Sequence, residues 1–264
     1  MQIIKKSWVS DDELTRMFSS SYWNNASAEK NKIWGMWENN FGELESRFLK
    51  KGLYQQFQSI LEEEDITLNG SNIASLGAGI CILEAMIAKN NSSINKIYNI
   101  ELSKHRIFDI APNIFEKYSI PSDKVELCLG SFLDLKIEDN SLDLIIMSQA
   151  FHHCSSPREL LLEAKRVLKK SGIIIIIGEH YFNKWQIAKR FLKHFPKYLI
   201  NHNNIRSRSS IIPSWRSLFP IDKVKGDHHY KQAHYSSMFK EGGFKWRRWV
   251  FKKYMNQAFC LKIS

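Results

Sequence analysis

Gly77 and Gly79 are separated by one alanine, and they follow the apolar run Ile73-Ala74-Ser75-Leu76 and precede Ile80-Cys81-Ile82-Leu83. Glycines between a strand and a helix let the backbone approach a ligand and turn the helix N-terminus toward it. Tyr98-Asn99-Ile100-Glu101 then ends in a carboxylate, 24 residues beyond Gly77. An acid closing a second strand accepts both hydroxyl protons of a ribose. Gly130-Ser131-Phe132 closes a third apolar run. A small polar residue beside an aromatic suits the edge and face of a purine.

Two histidine pairs offer proton chemistry. Gln149-Ala150-Phe151-His152-His153 follows a fourth apolar run, and Asp227-His228-His229-Tyr230 follows a polar, basic stretch. His152, His228, His229 and Asp227 are the candidate catalytic residues, since an imidazole near neutrality suits a general base. Adjacent residues diverge in direction, so at most one of each pair is expected to face a substrate. Asp227 and His228 would need partners from elsewhere to hold iron, manganese or zinc. Neighbouring histidines lack ligand spacing on one helix face, so no metal site is expected.

The elements that must position these residues alternate. Strand-like runs are 72–76, 94–100, 125–129, 142–147 and 173–178, with helix-like runs at 80–89, 104–118 and 157–169 between them. Five successive isoleucines, Ile173 to Ile177, lack polar alternation, the mark of a parallel strand covered on both faces. An α/β doubly wound sheet follows. Residues 1–70 read as a helical segment with no strand of its own. In it Ser10 caps a first helix with Glu13 in capping-box position, and residues 28–48 and 49–64 are helical. After the core, a helix over 181–195 is expected to end at Pro196. A cap at about 196–230, a helix over 230–240, and two strands over 244–252 and 254–263 follow.

This order resembles the class I S-adenosylmethionine-dependent methyltransferases, small-molecule branch, over roughly residues 72–179. The features that carry it are the glycine loop, Glu101, Ser131-Phe132, the LDLIIMSQAFHH segment and the Leu168-Lys169-Lys170-Ser171-Gly172 turn into the isoleucine strand. The resemblance implies a Rossmann-like seven-stranded sheet with an antiparallel last strand, and S-adenosyl-L-methionine as cofactor. It places the methionine moiety at Ser75 to Gly79, the ribose at Glu101 and the adenine at Ser131 and Phe132. Gln149 faces the same cleft. It also implies an N-terminal helical lid (residues 1–70) over a 71–264 core, with Tyr22 as its pocket residue. Two departures stand out: Ser75 occupies the place of an acid often found before the loop, and Cys81 that of a third glycine. A Rossmann dehydrogenase, the nearest rival, prefers a later glycine where this chain has Ile82.

The chain has 264 residues and a formal charge of +11, with 44% hydrophobic and 25% charged residues, so it can bury a real core. The four dispersed cysteines argue against a disulfide scaffold or a cysteine zinc site. No apolar run reaches membrane-span length, and a cytoplasmic enzyme is expected. The basic excess follows Arg158 and is densest at Lys245, Arg247, Arg248, Lys252 and Lys253. The expected partner is a small-molecule acceptor, with Arg206, Arg208 and Arg216 available to a carboxylate or phosphate. Weak or no nucleic-acid binding is expected, because no RNA-binding module is appended. An RNA methyltransferase and an inactive cofactor-binding subunit are the alternatives, and monomer and homodimer both stay open.

Overall fold

The computed structural model describes residues 2–17, 41–202, 214–222 and 227–264. Eight strands form one sheet in the order β1-β4-β3-β2-β5-β6-β8-β7. They are β1 (Ile4–Ser7), β2 (Asn72–Leu76), β3 (Lys96–Glu101), β4 (Val125–Leu129), β5 (Leu142–Ser148), β6 (Leu168–His180), β7 (Phe244–Phe251) and β8 (Asn256–Ile263). The pairs from β1 to β6 are parallel, and β8 lies antiparallel between β6 and β7. Seven strands with an antiparallel last one are the expected sheet.

The eighth corrects the reading of residues 1–70 as strandless. β1 joins the edge by pairing with β4, and all four of its residues are exposed. An edge strand that buries no side chain has no hydrophobic period to betray it.

The isoleucine run shows why the sheet holds together. Ile173, Ile175 and Ile177 enter one core cluster, while Ile174 and Ile176 enter the other on the opposite face. Side chains alternate across a strand, so an unbroken apolar run serves two cores at once.

Helices cover both faces. The described helices include α1 (Asp11–Met17), α2 (Phe41–Lys50), α3 (Leu53–Glu63), α4 (Ile82–Asn90), α5 (Ala111–Lys117) and α6 (Pro157–Val167). Further along are α7 (Lys184–His202), α8 (Trp215–Leu218) and α9 (Gln232–Glu241). The capping box at α1 forms as expected: Glu13 N–H donates to Ser10 Oγ and Ser10 N–H to Glu13 Oε2, at 3.2 and 2.7 Å. Leu53, Tyr54, Phe57 and Ile60 of α3 are buried in the first cluster, so this helix is part of the core. The lid expectation then falls on residues 18–40, including Tyr22, which lie outside the described residues.

Two helix boundaries also differ. Residues His105–Ile110 form a wide π-helical turn ahead of α5. Pro112 has no N–H to offer the carbonyl of Phe108, which instead accepts from Lys5 Nζ at 2.6 Å. α7 continues through Pro196 to His202. The carbonyl that Pro196 leaves unbonded belongs to Leu192, which is exposed, so water can replace the missing donor.

Candidate cofactor and acceptor site

The glycine loop joins β2 to α4 at the C-terminal edge of the sheet, where ligands of open α/β sheets bind. Both glycines are required by backbone conformation. Gly77 has φ +71° and a Cβ there would stand 2.7 Å from the Ala150 Cβ; Gly79 has φ +58° with nothing within 4 Å. The first glycine therefore lets the loop pack against the post-β5 segment. The second leaves a clear space above the loop.

Glu101, the last residue of β3, is half-buried beside that space. Its Oε2 accepts from Gly79 N–H at 2.8 Å, and Oε1 accepts from the N–H groups of Leu102 and Ser103, both at 2.9 Å. The carboxylate thus fixes the loop to the end of β3. Glu101→Ala removes charge-assisted hydrogen bonds, so binding of S-adenosylhomocysteine is expected to weaken by about 1–3 kcal/mol. Isothermal calorimetry checks this, and an unchanged affinity would take Glu101 out of the site.

Ser75 lies at the start of the loop, one residue before the end of β2. Its side chain is 1% exposed, and Oγ donates to Glu84 Oε1 at 2.6 Å. Its hydroxyl is thus engaged by Glu84 beneath the loop. The acid missing at position 75 in the sequence arrives from the first turn of α4. Burial pushes the Glu84 carboxyl up to about 7, against the opposing Ser75 hydrogen bond. The Ser75–Glu84 pairing escapes sequence reading because the partners are nine residues apart on different elements.

Gly130 N–H donates to the Glu101 carbonyl at 3.0 Å, so β4 delivers Ser131 and Phe132 beside Glu101. Ser131 is buried with Oγ accepting from Leu133 N–H at 3.1 Å, while Phe132 is partly buried. A Cβ on Gly130 would meet Trp8 at 2.7 Å, so the N-terminal segment backs this wall. Gln149 adopts φ +53°, unusual for a residue with a side chain, and its Oε1 accepts from Lys51 Nζ at 3.1 Å. Such backbone strain gathers at functional sites.

The histidines converge beyond β5 and β6. His152 and His153 sit in a 3-10 turn, Phe151–His153. The β6–β8 register shifts between Ile176 and Glu179, and this bulge precedes Glu179 and His180 at the end of β6. Glu179 is fully buried; its Oε1 lies 3.0 Å from His152 Nδ1 and its Oε2 accepts from Tyr235 OH at 2.6 Å. His228 N–H donates to the His152 carbonyl at 2.8 Å, which ties the cap to the turn. His153 Nδ1 lies 3.0 Å from Asp227 Oδ1. The His152, His180 and His229 rings form a chain with centroids 4.5 and 5.1 Å apart. His229 Nδ1 donates to the Pro220 carbonyl at 3.1 Å.

Burial sets most of the charges here. It lowers His180 and His153 to about 4, aided by the neighbouring His152, and lowers His228 and His229 as well. Burial opposes charge on His152 too, but the Glu179 carboxylate outweighs it and the net shift is upward. The three candidate histidines, His152, His228 and His229, lie together with Asp227 in this cluster. Glu179, His180 and Tyr235 join them without having been singled out in the sequence. Glu179 and His180 were signalled by position, since they end a central strand on its ligand-binding side. Arg216 is exposed, and Arg206 and Arg208 lie outside the described residues.

Residues 74–176 match a family described as a methyltransferase domain. A curated relative, the uncharacterized methyltransferase YcgJ of Bacillus subtilis, is 27% identical over 124 residues, which cover 46% of this chain and 47% of that protein. The match thus spans about half the length of the curated relative. Among solved structures, magnesium protoporphyrin IX methyltransferase from Synechocystis aligns with a TM-score of 0.60 at 12% identity, covering 94% of this chain and all of that one. A SAM dependent methyltransferase from Aquifex aeolicus aligns with a TM-score of 0.52 at 18% identity, covering 77% and 86%. At these identities the structural likeness concerns the fold.

Proposed function

We propose that this protein is a class I S-adenosylmethionine-dependent methyltransferase that transfers a methyl group to a small-molecule acceptor, a reading supported by its methyltransferase-domain match and its fold. The observation that carries the reading is the joined set of Gly77, Gly79 and Glu101: a loop with room above it, fixed to the carboxylate that ends β3. S-adenosylmethionine supplies an electrophilic methyl group on a sulfonium, and methyl transfer is an in-line displacement. The protein's part is to align, exclude water and, for a protonated nucleophile, take a proton.

Glu101 holds the ribose, and Phe132 lies against the adenine. The acceptor lies on the fourth-strand side, between Gln149–His153 and the cap residues 227–230. His228 is the proton acceptor. It is half-buried and tied to the His152 backbone, whereas the His152 side chain is 5% exposed and engaged by Glu179. His229 and Asp227 form the wall beside it.

A small acceptor is favoured over RNA by the partners of Arg247 and Trp249 inside the basic cluster. Arg247 pairs with Glu63 and Glu64, at 2.7 and 3.0 Å, and Lys262 pairs with Glu64 at 2.7 Å. Trp249 is buried with its indole N–H donating to Glu63, so it is no open stacking platform. Total RNA is therefore expected to bind weakly, with affinity falling steeply as salt rises. The test measures S-adenosylhomocysteine formation with a panel of small hydroxyl, amine and carboxylate acceptors and with total RNA. Turnover on a small molecule supports the proposal. Methylation of RNA, with binding that persists at moderate salt, would overturn it.

A further inference from the structure

The cluster beyond β5 and β6 holds more than a base. His152, His180 and Asp227 each present one donor atom, and these three atoms all lie within 4.8 Å of one another. They come from three elements: the turn after β5, the end of β6 past its bulge, and the cap. That origin explains why adjacent-histidine spacing pointed away from a metal.

We propose that His152, His180 and Asp227 form a binding site for one divalent transition-metal ion. Two imidazoles and a carboxylate form a nitrogen–oxygen set suited to zinc, iron(II), cobalt(II) or manganese(II), too nitrogen-rich for calcium or magnesium. Bond lengths of roughly 2.0–2.2 Å around a tetrahedral ion put donors about 3.4 Å apart, so the ligands need to draw in by roughly 1 Å or less each.

Two further observations favour an ion here. His180 Nδ1 is sealed from solvent and makes no hydrogen bond, and the equally sealed Asp227 Oδ1 has His153 Nδ1 3.0 Å away as its neighbour. A buried polar atom without a hydrogen bond is costly, and an ion beside His180 would satisfy it. Behind them, Glu179 faces His152 Nδ1 and is itself held by Tyr235. A carboxylate on the far nitrogen of a ligating imidazole is the usual support of a metal-bound histidine, fixing its tautomer and orientation. Three protein ligands leave at least one coordination position for water or for an oxygen of a bound molecule.

Metal binding stands apart from methyl transfer and is read without any acceptor. Untagged full-length protein is titrated with Co²⁺ and followed by visible absorption, with Zn²⁺ added as a competitor. One equivalent of Co²⁺ should give d–d bands of a four- or five-coordinate site, abolished by Zn²⁺. His180→Ala and Asp227→Asn should each remove the bands. Glu179→Gln should weaken binding by about 10–100-fold, as loss of an outer partner does. His105→Ala, on the far side of the sheet's switch point, should leave the titration unchanged. Asp227→Asn alters a cap residue outside the sheet and keeps the test readable should His180→Ala fail to fold. No stoichiometric band, or an equal affinity in Asp227→Asn and the unsubstituted protein, would overturn the proposal.

Discussion

His228→Ala is expected to slow S-adenosylhomocysteine formation by about 10²–10⁴-fold at saturating acceptor, the usual worth of a positioned general base. The imidazole is half-buried next to Asp227, and its backbone N–H is fixed to the His152 carbonyl at 2.8 Å. The ring stacks on Tyr230 with centroids 5.5 Å apart, so the side chain is held and does not sample solvent freely. Its cofactor affinity should stay unchanged, because the glycine loop and Glu101 lie on the other side of the switch point. Steady-state kinetics together with calorimetry separate these two quantities. A loss of less than tenfold would mean that the acceptor reacts through alignment alone, without proton transfer to His228.

Glu84→Gln should raise stability at alkaline pH and leave it nearly unchanged in acid. The Glu84 carboxyl is sealed behind the glycine loop, with Oε1 held by Ser75 and Oε2 making no hydrogen bond. Burial raises it from 4.5 to about 7. A group raised in the folded state contributes stability that is fully present below the unfolded value and lost as pH rises through the folded one. For Glu84 that window runs from about 4.5 to about 7. The linked free energy is about 3 kcal/mol, an upper value since neighbours relax. Urea unfolding at pH 5 and pH 8 reads the difference. The unsubstituted protein should lose stability relative to Glu84→Gln between the two. Parallel behaviour of both proteins would contradict a buried, proton-binding Glu84.

Much of this arrangement was legible because local chemistry and tertiary role coincide. Asn72–Leu76 and Val125–Leu129 are strands to the residue, since each is an apolar run bounded by turns. The Ser10–Glu13 capping box, the isoleucine strand and the Gly77–Gly79 loop carry their geometry in residue type alone. β1 was not legible, because an exposed edge strand has no buried face to impose a period. The continuation of α7 past Pro196 was hidden for the opposite reason: a proline penalty is modest where solvent can serve the orphaned carbonyl. The Ser75–Glu84 pair and the gathering of His152, His180 and Asp227 depend on elements far apart in the chain. No spacing rule reaches them. They appear only once the sheet order sets the ends of β2, β5 and β6 side by side.

The central claim is that the loop at Gly77 and Gly79, closed by Glu101, is an S-adenosylmethionine site. Calorimetric titration of the full chain with S-adenosylmethionine, S-adenosylhomocysteine and NAD tests it directly. A single site for both adenosyl compounds, weakened in Glu101→Ala, and no heat from NAD are expected. Binding of NAD with neither adenosyl compound bound would contradict it.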